Sequence, residues 1–453
     1  MPQAFLLDRR GFLAGSVAMG VFAPGQCAGG AIHGSQLGLA DDPGLDQFAA
    51  LQNAIRQCSA QRVALDITGL EIRVATQANV DPKYLYVGGR RGSRPTYGIY
   101  LGPGTWLRIV GEGTIGNLEQ DSRQYLFHAV DAEYIEIGDG VTLDGNKTLT
   151  RSGAGTCHFM GVKHVHLGAA TFRRDGIVRL GSSPNGMTGL CTFTTPRFVD
   201  CRGTHCIGGK PGGCREWRGD TIYVNGALGG INLEAEDQNG FNDDGRGGKR
   251  WPDKITAKIE SVVCENLDGG LGGAQSGVHA VVVSDGEGSV VEIGSIVLRG
   301  GRSPTGVADA LVVGGGQSDN PAALVRVGRI HVEDAGQAMS YVPSTRAQET
   351  IEIGAITGSG VDELLVSRPL GGRRRNAPPG RAKRIRIDRV DFGTVRQRGL
   401  KVENNSRFRG SLIDRLEIGE YRASEPDASS ALAAIRETVE TVDLGPAAGS
   451  EAP

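Results

Sequence analysis

"YIEIGDGVTLDGN", residues 134–146, is the stretch from which the rest of the chain can be read. A short run rich in β-branched residues meets a glycine, passes into a second short strand and ends in a polar turn. The plan returns as "HVHLGAATFRRDG" (164–176), "VVEIGSIVLRGG" (290–301), "LVRVGRIHVEDAG" (324–336), "TIEIGAITGSG" (350–360) and "RLEIGEY" (415–421). Successive copies lie roughly one to two dozen residues apart, or a multiple of that, which marks a solenoid. Such a unit cannot bury its apolar face alone and does so against the next copy.

No amphipathic helices separate the strands, so doubly wound and barrel α/β folds are excluded. The competing architectures are a propeller and a pair of sandwiches; a propeller needs blades of about 40–45 residues with their own motifs, and none is present. The expected fold is all-β, a single-stranded parallel β-helix. Residues 46–61, "DQFAALQNAIRQCSAQ", place Phe48, Leu51, Ile55 and Cys58 on one helical face. That helix would cap the open end of the solenoid, where unpaired strand edges invite aggregation. Residues 427–442, "DASSALAAIRETVETV", supply a second cap or a tail helix. The expected organisation is therefore 1–30 leader, 31–62 opening segment and capping helix, 63–423 β-helix and 424–453 C-terminal helix or tail.

The chain has 453 residues, 71 of them glycine, with 22% charged residues and a net charge of −2. Repetitive all-β folds routinely reach this length as one unit. The near-neutral balance gives no electrostatic case for nucleic acid. Arg9-Arg10-Gly11-Phe12-Leu13, followed by a run of small apolar residues to Ala23, reads as a twin-arginine export signal. The apolar run is too short for a span of roughly 20 residues, so the mature protein is expected in the periplasm or outside the cell without a membrane anchor. Cys191, Cys201, Cys206 and Cys214 are open to three readings: interior thiols, a disulfide closing "CIGGKPGGC" (206–214), or a zinc site with His205.

"GGINLEAEDQNGFNDDGRGGKRW", residues 229–251, gathers carboxylates and cations in one place. Strand alternation points Ile231, Leu233 and Ala235 inward and Asn232, Glu234 and Glu236 outward. Stacked rungs would align these with Arg173, Arg174 and Arg179 from "TFRRDGIVRLG" (171–181), with His205 from "VDCRGTHC" (199–206) and with His279. The loop from Asp237 is too long for a turn, and long loops on rigid scaffolds tend to carry function. Trp251 would offer a sugar ring an apolar platform. A bland reading, a solvated solubilising loop, stands beside this one, as does a calcium site built from its carboxylates. The basic stretch 371–384, "GGRRRNAPPGRAKR", reads as an exposed loop.

The opening helix followed by β coils, with "GGINLEAED" (229–237), resembles the pectate-lyase-like right-handed parallel β-helix superfamily. The similarity covers most of the chain in pattern, but its motifs are generic and no subfamily signature is reproduced. The resemblance implies a right-handed coil and a carbohydrate polymer more strongly than it implies a reaction.

Two chemistries compete for the groove. A lyase must neutralise a uronate carboxylate and remove the adjacent proton, work for Arg, Lys, His, Tyr or bound calcium. A hydrolase needs two carboxylates, about 5–5.5 Å apart for retention or wider for inversion; Glu234 and Glu236 would stand roughly 7 Å apart along one strand. Clustered arginines favour an anionic polymer and hence the lyase. The residues expected at the reaction are Glu234, Glu236, Asp237, Arg179 and Lys249. Those expected to hold the polymer are Arg173, Arg174, Asn232, His205, Arg250 and Trp251. A non-catalytic glycan-binding β-helix is the third possibility.

Overall fold

The computed structural model describes residues 30–77, 96–122, 124–148, 155–201, 205–209, 213–233, 245–246, 250, 254–268, 278–283, 288–302, 308–314, 323–342, 349–367, 382–402, 413–424 and 441–444. They form a right-handed parallel β-solenoid with one α-helix near the N-terminus; the parallel solenoid is what the repeat implied. Each turn contributes to three faces. The first face stacks Ala64–Asp66, Trp106–Val110, Tyr134–Ile137 and His164–Leu167 in parallel. The second stacks Glu71–Val74, Thr114–Asn117, Thr142–Asp144 and Thr171–Arg173. The third stacks Thr96–Leu101, Gln124–Val130, Cys157–Met160, Val178–Ser183, Ile207–Gly209 and Gly229–Leu233. Higher up the faces run together, and Ala323–Val342, Thr350–Ser367 and Arg384–Val402 each cross all three.

One turn is longer than the repeat suggested. Stacked side chains such as Arg108 and Glu136 lie 28 residues apart, and Ser261 and Ser295 34 apart. The quoted motif covers only the first two faces, because the third is joined through connections of varied length that blur the period. The glycine in the motif marks the corner between those two faces. A Cβ on Gly328 would stand 2.5 Å from the carbonyl oxygen of Gly294, and one on Gly354 2.5 Å from that of Gly328. At these rungs a side chain would press on the carbonyl below, although Glu260 and Asp388 occupy the same corner on other rungs.

The core is a set of columns, one residue per turn. Ile135, Val165, Cys191, Trp217, Ala257, Val291, Val325 and Ile351 follow one another on the first face, all essentially unexposed. Phe172 stacks on Phe198 with ring centroids 4.8 Å apart. The cysteines of the cluster 191–214 are buried, free thiols, so of the three readings the interior one is observed and Cys206 is not joined to Cys214. Burial pushes the Cys214 thiol up to about 12.

The capping helix spans Phe48–Gln61 and buries Leu51, Ala54, Ile55 and Cys58. Its side chains satisfy the first strand edges. Gln52 accepts from the Tyr100 amide at 3.0 Å and donates to the Tyr100 carbonyl at 2.9 Å. Ser59 accepts from the Trp106 amide at 3.0 Å. Just before the helix, Asp41 and Asp46 accept from the amides of Glu71 and Ala75, each at 2.9 Å. At the other end, most of the helix expected over 427–442 lies outside the described residues. Its last two residues belong instead to a strand, Thr441–Leu444, which pairs parallel with Arg415–Ser424. Strand pairing also reaches further back than residue 63, since Ala31–His33 pairs with Ala64–Asp66.

Candidate functional site

The first two faces alternate buried and exposed positions, as a sheet with one wet side must. The third face does not: Gln124–Val130 and Ala308–Gly314 are buried at every position. Along these two strands the outward side is buried as well as the inward one, whereas Tyr100 on the first rung of the face is exposed. The longest connections in the sequence, 78–95 and 234–253, also join the ends of third-face strands. Polar groups that a buried sheet face keeps on its outward side need a reason.

Register defines the first outward column. Tyr100, His128, His158, Arg179, Gly208 and Asn232 occupy successive rungs at one position, and Val282, Val312 and Ser340 continue it. Inward neighbours such as Phe127, Ala129, Phe159 and Leu180 fill the core, which fixes these side chains outward. Tyr97 and Tyr125 flank the column. The Tyr97 ring stacks 3.9 Å from His128, and Tyr125 lies 4.9 Å from His158. The imidazoles of His128 and His158 are 5.1 Å apart, and the Arg179 guanidinium stands 5.8 Å over Tyr125.

Burial controls the protonation of this cluster. His128 and His158 are each only 2% exposed. Desolvation drives His128 down to about 4, offset in part by the nearby backbone of His158. His158 is pushed well below its ordinary value by desolvation and then by the charges of His128 and Arg179. The Nδ1 of His158 has no hydrogen-bond partner among the described residues. Both rings are thus neutral at neutral pH, beside a fixed positive charge.

A second outward column runs higher on the same face through Gly229, His279, Asp309, Gln337, Glu363 and Arg398. His279 Nδ1 lies 3.2 Å from Asp309 Oδ2. Gln337 donates to Glu363 at 2.5 Å, and Lys401 pairs with Glu363 at 3.2 Å. Ser340 donates to Gln337 at 2.6 Å.

Of the residues singled out in the sequence, Arg179 and Asn232 share the first column, with Gly208 between them. Ile231 and Leu233 are in the core and Asn232 is outside it, as the alternation implied. His205 lies two residues before the strand Ile207–Gly209 of that face. Arg173 and Arg174 are elsewhere, at the end of the second face. Both pair with the fully buried Asp144, Arg173 at 3.1 Å, and Arg73 reaches the same carboxylate at 3.4 Å. Burial alone would raise the Asp144 carboxyl, but the Arg174 hydrogen bond and the charges of Arg174 and Arg173 hold it below its ordinary value. Arg250 is exposed. Glu234, Glu236, Asp237, Lys249 and Trp251 lie outside the described residues, as does most of the basic stretch 371–384.

Sequence reading passed over Tyr97, Tyr125, His128 and His158. Their strands, "TYGIYL", "QYLFHAV" and "CHFM", read as continuous apolar runs. Only rung register shows that their polar rings form a column. Among the described residues no group of three or more His, Cys, Asp or Glu side chains is arranged to hold a metal ion, and no helix is long and apolar enough to cross a membrane.

The fold is a right-handed parallel β-helix whose third face carries polar and aromatic side chains on its outward side. No protein-family model, curated protein or solved structure matches the chain.

Proposed function

We propose that the protein is an exported polysaccharide lyase that cleaves an acidic, uronate-containing polymer by β-elimination at the third face. The supporting observation is the column His128, His158, Arg179, Asn232, in which the neutral imidazole of His158 stands one rung, and that of His128 two rungs, from a guanidinium. Among its described residues that column carries no carboxylate, which favours elimination over hydrolysis.

The roles follow from the chemistry. Arg179 engages the uronate carboxylate, assisted by the Asn232 amide, and makes the proton on the neighbouring carbon acidic. Unprotonated His158, backed by His128, removes that proton. The electron pair left behind forms the carbon–carbon double bond as the bond to the glycosidic oxygen breaks. That oxygen takes up a proton from Tyr125 or from water. Tyr97 and Tyr125 add aromatic surface for the sugar ring. Calcium is not required by this scheme, although a cation near the substrate carboxylate would assist it.

Mass spectrometry of the products formed from a panel of acidic and neutral polysaccharides tests the proposal. Elimination leaves fragments one water lighter than hydrolysis does. Fragments of hydrolytic mass would point to a glycoside hydrolase, and binding without any fragment to a glycan-binding protein.

A further inference from the structure

The outward side of the third face changes its chemistry along the solenoid axis. Around Arg179 it presents aromatic rings, imidazoles and one guanidinium. From His279 upward it presents His279, Asp309, Gln337, Ser340, Glu363 and Lys401. Glu363 is provided for, accepting from Gln337 and pairing with Lys401. Asp309 is less well provided for. Its Oδ2 faces the Nδ1 of His279, whereas its buried Oδ1 has no hydrogen-bond partner among the described residues. The residue is 3% exposed. A buried carboxylate oxygen without a donor carries a free-energy penalty that an incoming O–H or N–H relieves. The same oxygen repels a second carboxylate.

We infer that the groove takes a mixed polymer, in which a uronate meets Arg179 and a neutral or N-acylated sugar meets Asp309. Four rung steps separate the two positions, through Gly208, Asn232 and Val282 to Val312 on the Asp309 strand. At a strand spacing of about 4.8 Å that is roughly 19 Å, so different sugars of one chain meet them. A hydroxyl or acetamido N–H of the second sugar donates to Asp309 Oδ1, while the His279 ring stands 3.2 Å from Oδ2 on the other side. A polymer made only of uronates would press a carboxylate against Asp309. The uronate half of this inference rests on the lyase reading; the donor half rests on Asp309 alone.

The test compares polygalacturonate, in which every sugar is a uronate, with hyaluronan and gellan, in which uronates are interspersed with uncharged sugars. Binding to the full chain is measured by affinity electrophoresis, and cleavage in parallel as unsaturated uronate. The wild type is expected to bind at least one mixed polymer tenfold or more tightly than polygalacturonate. Asp309→Asn is expected to narrow that gap to within threefold by strengthening polygalacturonate binding, and His279→Gln to weaken the mixed polymer alone. Wild-type binding that is equal, reversed or absent for all three polymers overturns the inference, as does an unchanged gap in folded Asp309→Asn. A tenfold preference without cleavage leaves the donor half at Asp309 standing and removes the lyase reading.

Discussion

Arg179 and His158 are paired in register on neighbouring rungs, so a guanidinium and a neutral imidazole face the same side of the sheet one strand spacing apart. Arg179 lies outside the inward core and is only part-buried, so its substitution should affect chemistry before stability. Arg179→Ala is expected to lower kcat/KM on an acidic polymer by about 10²–10³-fold, the usual result of removing one charge-stabilising donor. Arg179→Lys should recover only part, because an ammonium lacks the fork that matches a carboxylate. Initial rates on the polymer, read beside the denaturant midpoint of each variant, check both points.

The low proton affinity of the buried histidines sets a pH window for stability. His128 titrates at about 4 in the folded chain and near its ordinary 6.5 when unfolded. Its folded pKa is the lower one, so the unfolded chain takes up a proton first as the pH falls. Stability is fully present above about pH 6.5 and is lost as the pH drops towards 4, by about 3 kcal/mol for His128. His158 shifts in the same direction and deepens the loss. Asp144 has a depressed carboxyl and loses its contribution only below that window. Denaturant unfolding between pH 7.5 and 4.5 should give a steeper decline for the wild type than for His128→Gln.

Asp144 ties three guanidiniums at the end of the second face, and the Arg73 side chain among them is itself only 9% exposed. Removing one partner of a buried ion pair leaves uncompensated charge, at a cost of about 3–5 kcal/mol. Asp144→Asn should lower the denaturant midpoint accordingly. A midpoint equal to that of the wild type would mean that the arginines find other partners.

Gln52 closes the first edge of the third face by bonding both the amide and the carbonyl of Tyr100. Gln52→Ala reopens both groups. The direct loss is about 1–2 kcal/mol, but a free edge strand also recruits other chains. Light scattering during a thermal ramp should begin at a lower temperature for the variant, with the difference growing with protein concentration.

The fold was legible in the sequence because a physical pattern repeats. Gly294, Gly328 and Gly354 follow one another at one corner, where a Cβ on Gly328 or Gly354 would stand 2.5 Å from the carbonyl oxygen of the rung below, so glycine recurs there on several rungs. The site was legible only in part. Arg179 and Asn232 stand out as polar residues in strands and do share a column. His128 and His158 were hidden because the third face is buried on both sides, which erases the alternation that marks an outward position. Arg173 and Arg174 drew attention by charge, yet their pairing with Asp144 depends on a carboxylate about one turn earlier in the chain.

The most direct measurement is the ultraviolet absorbance of unsaturated uronate when the purified wild type and His158→Ala are mixed with acidic polysaccharides. The wild type should generate the chromophore from at least one of them, and His158→Ala should do so about 10²–10⁴-fold more slowly while still binding that polymer. New reducing ends without the chromophore, or equal rates in the two proteins, would contradict β-elimination at this column.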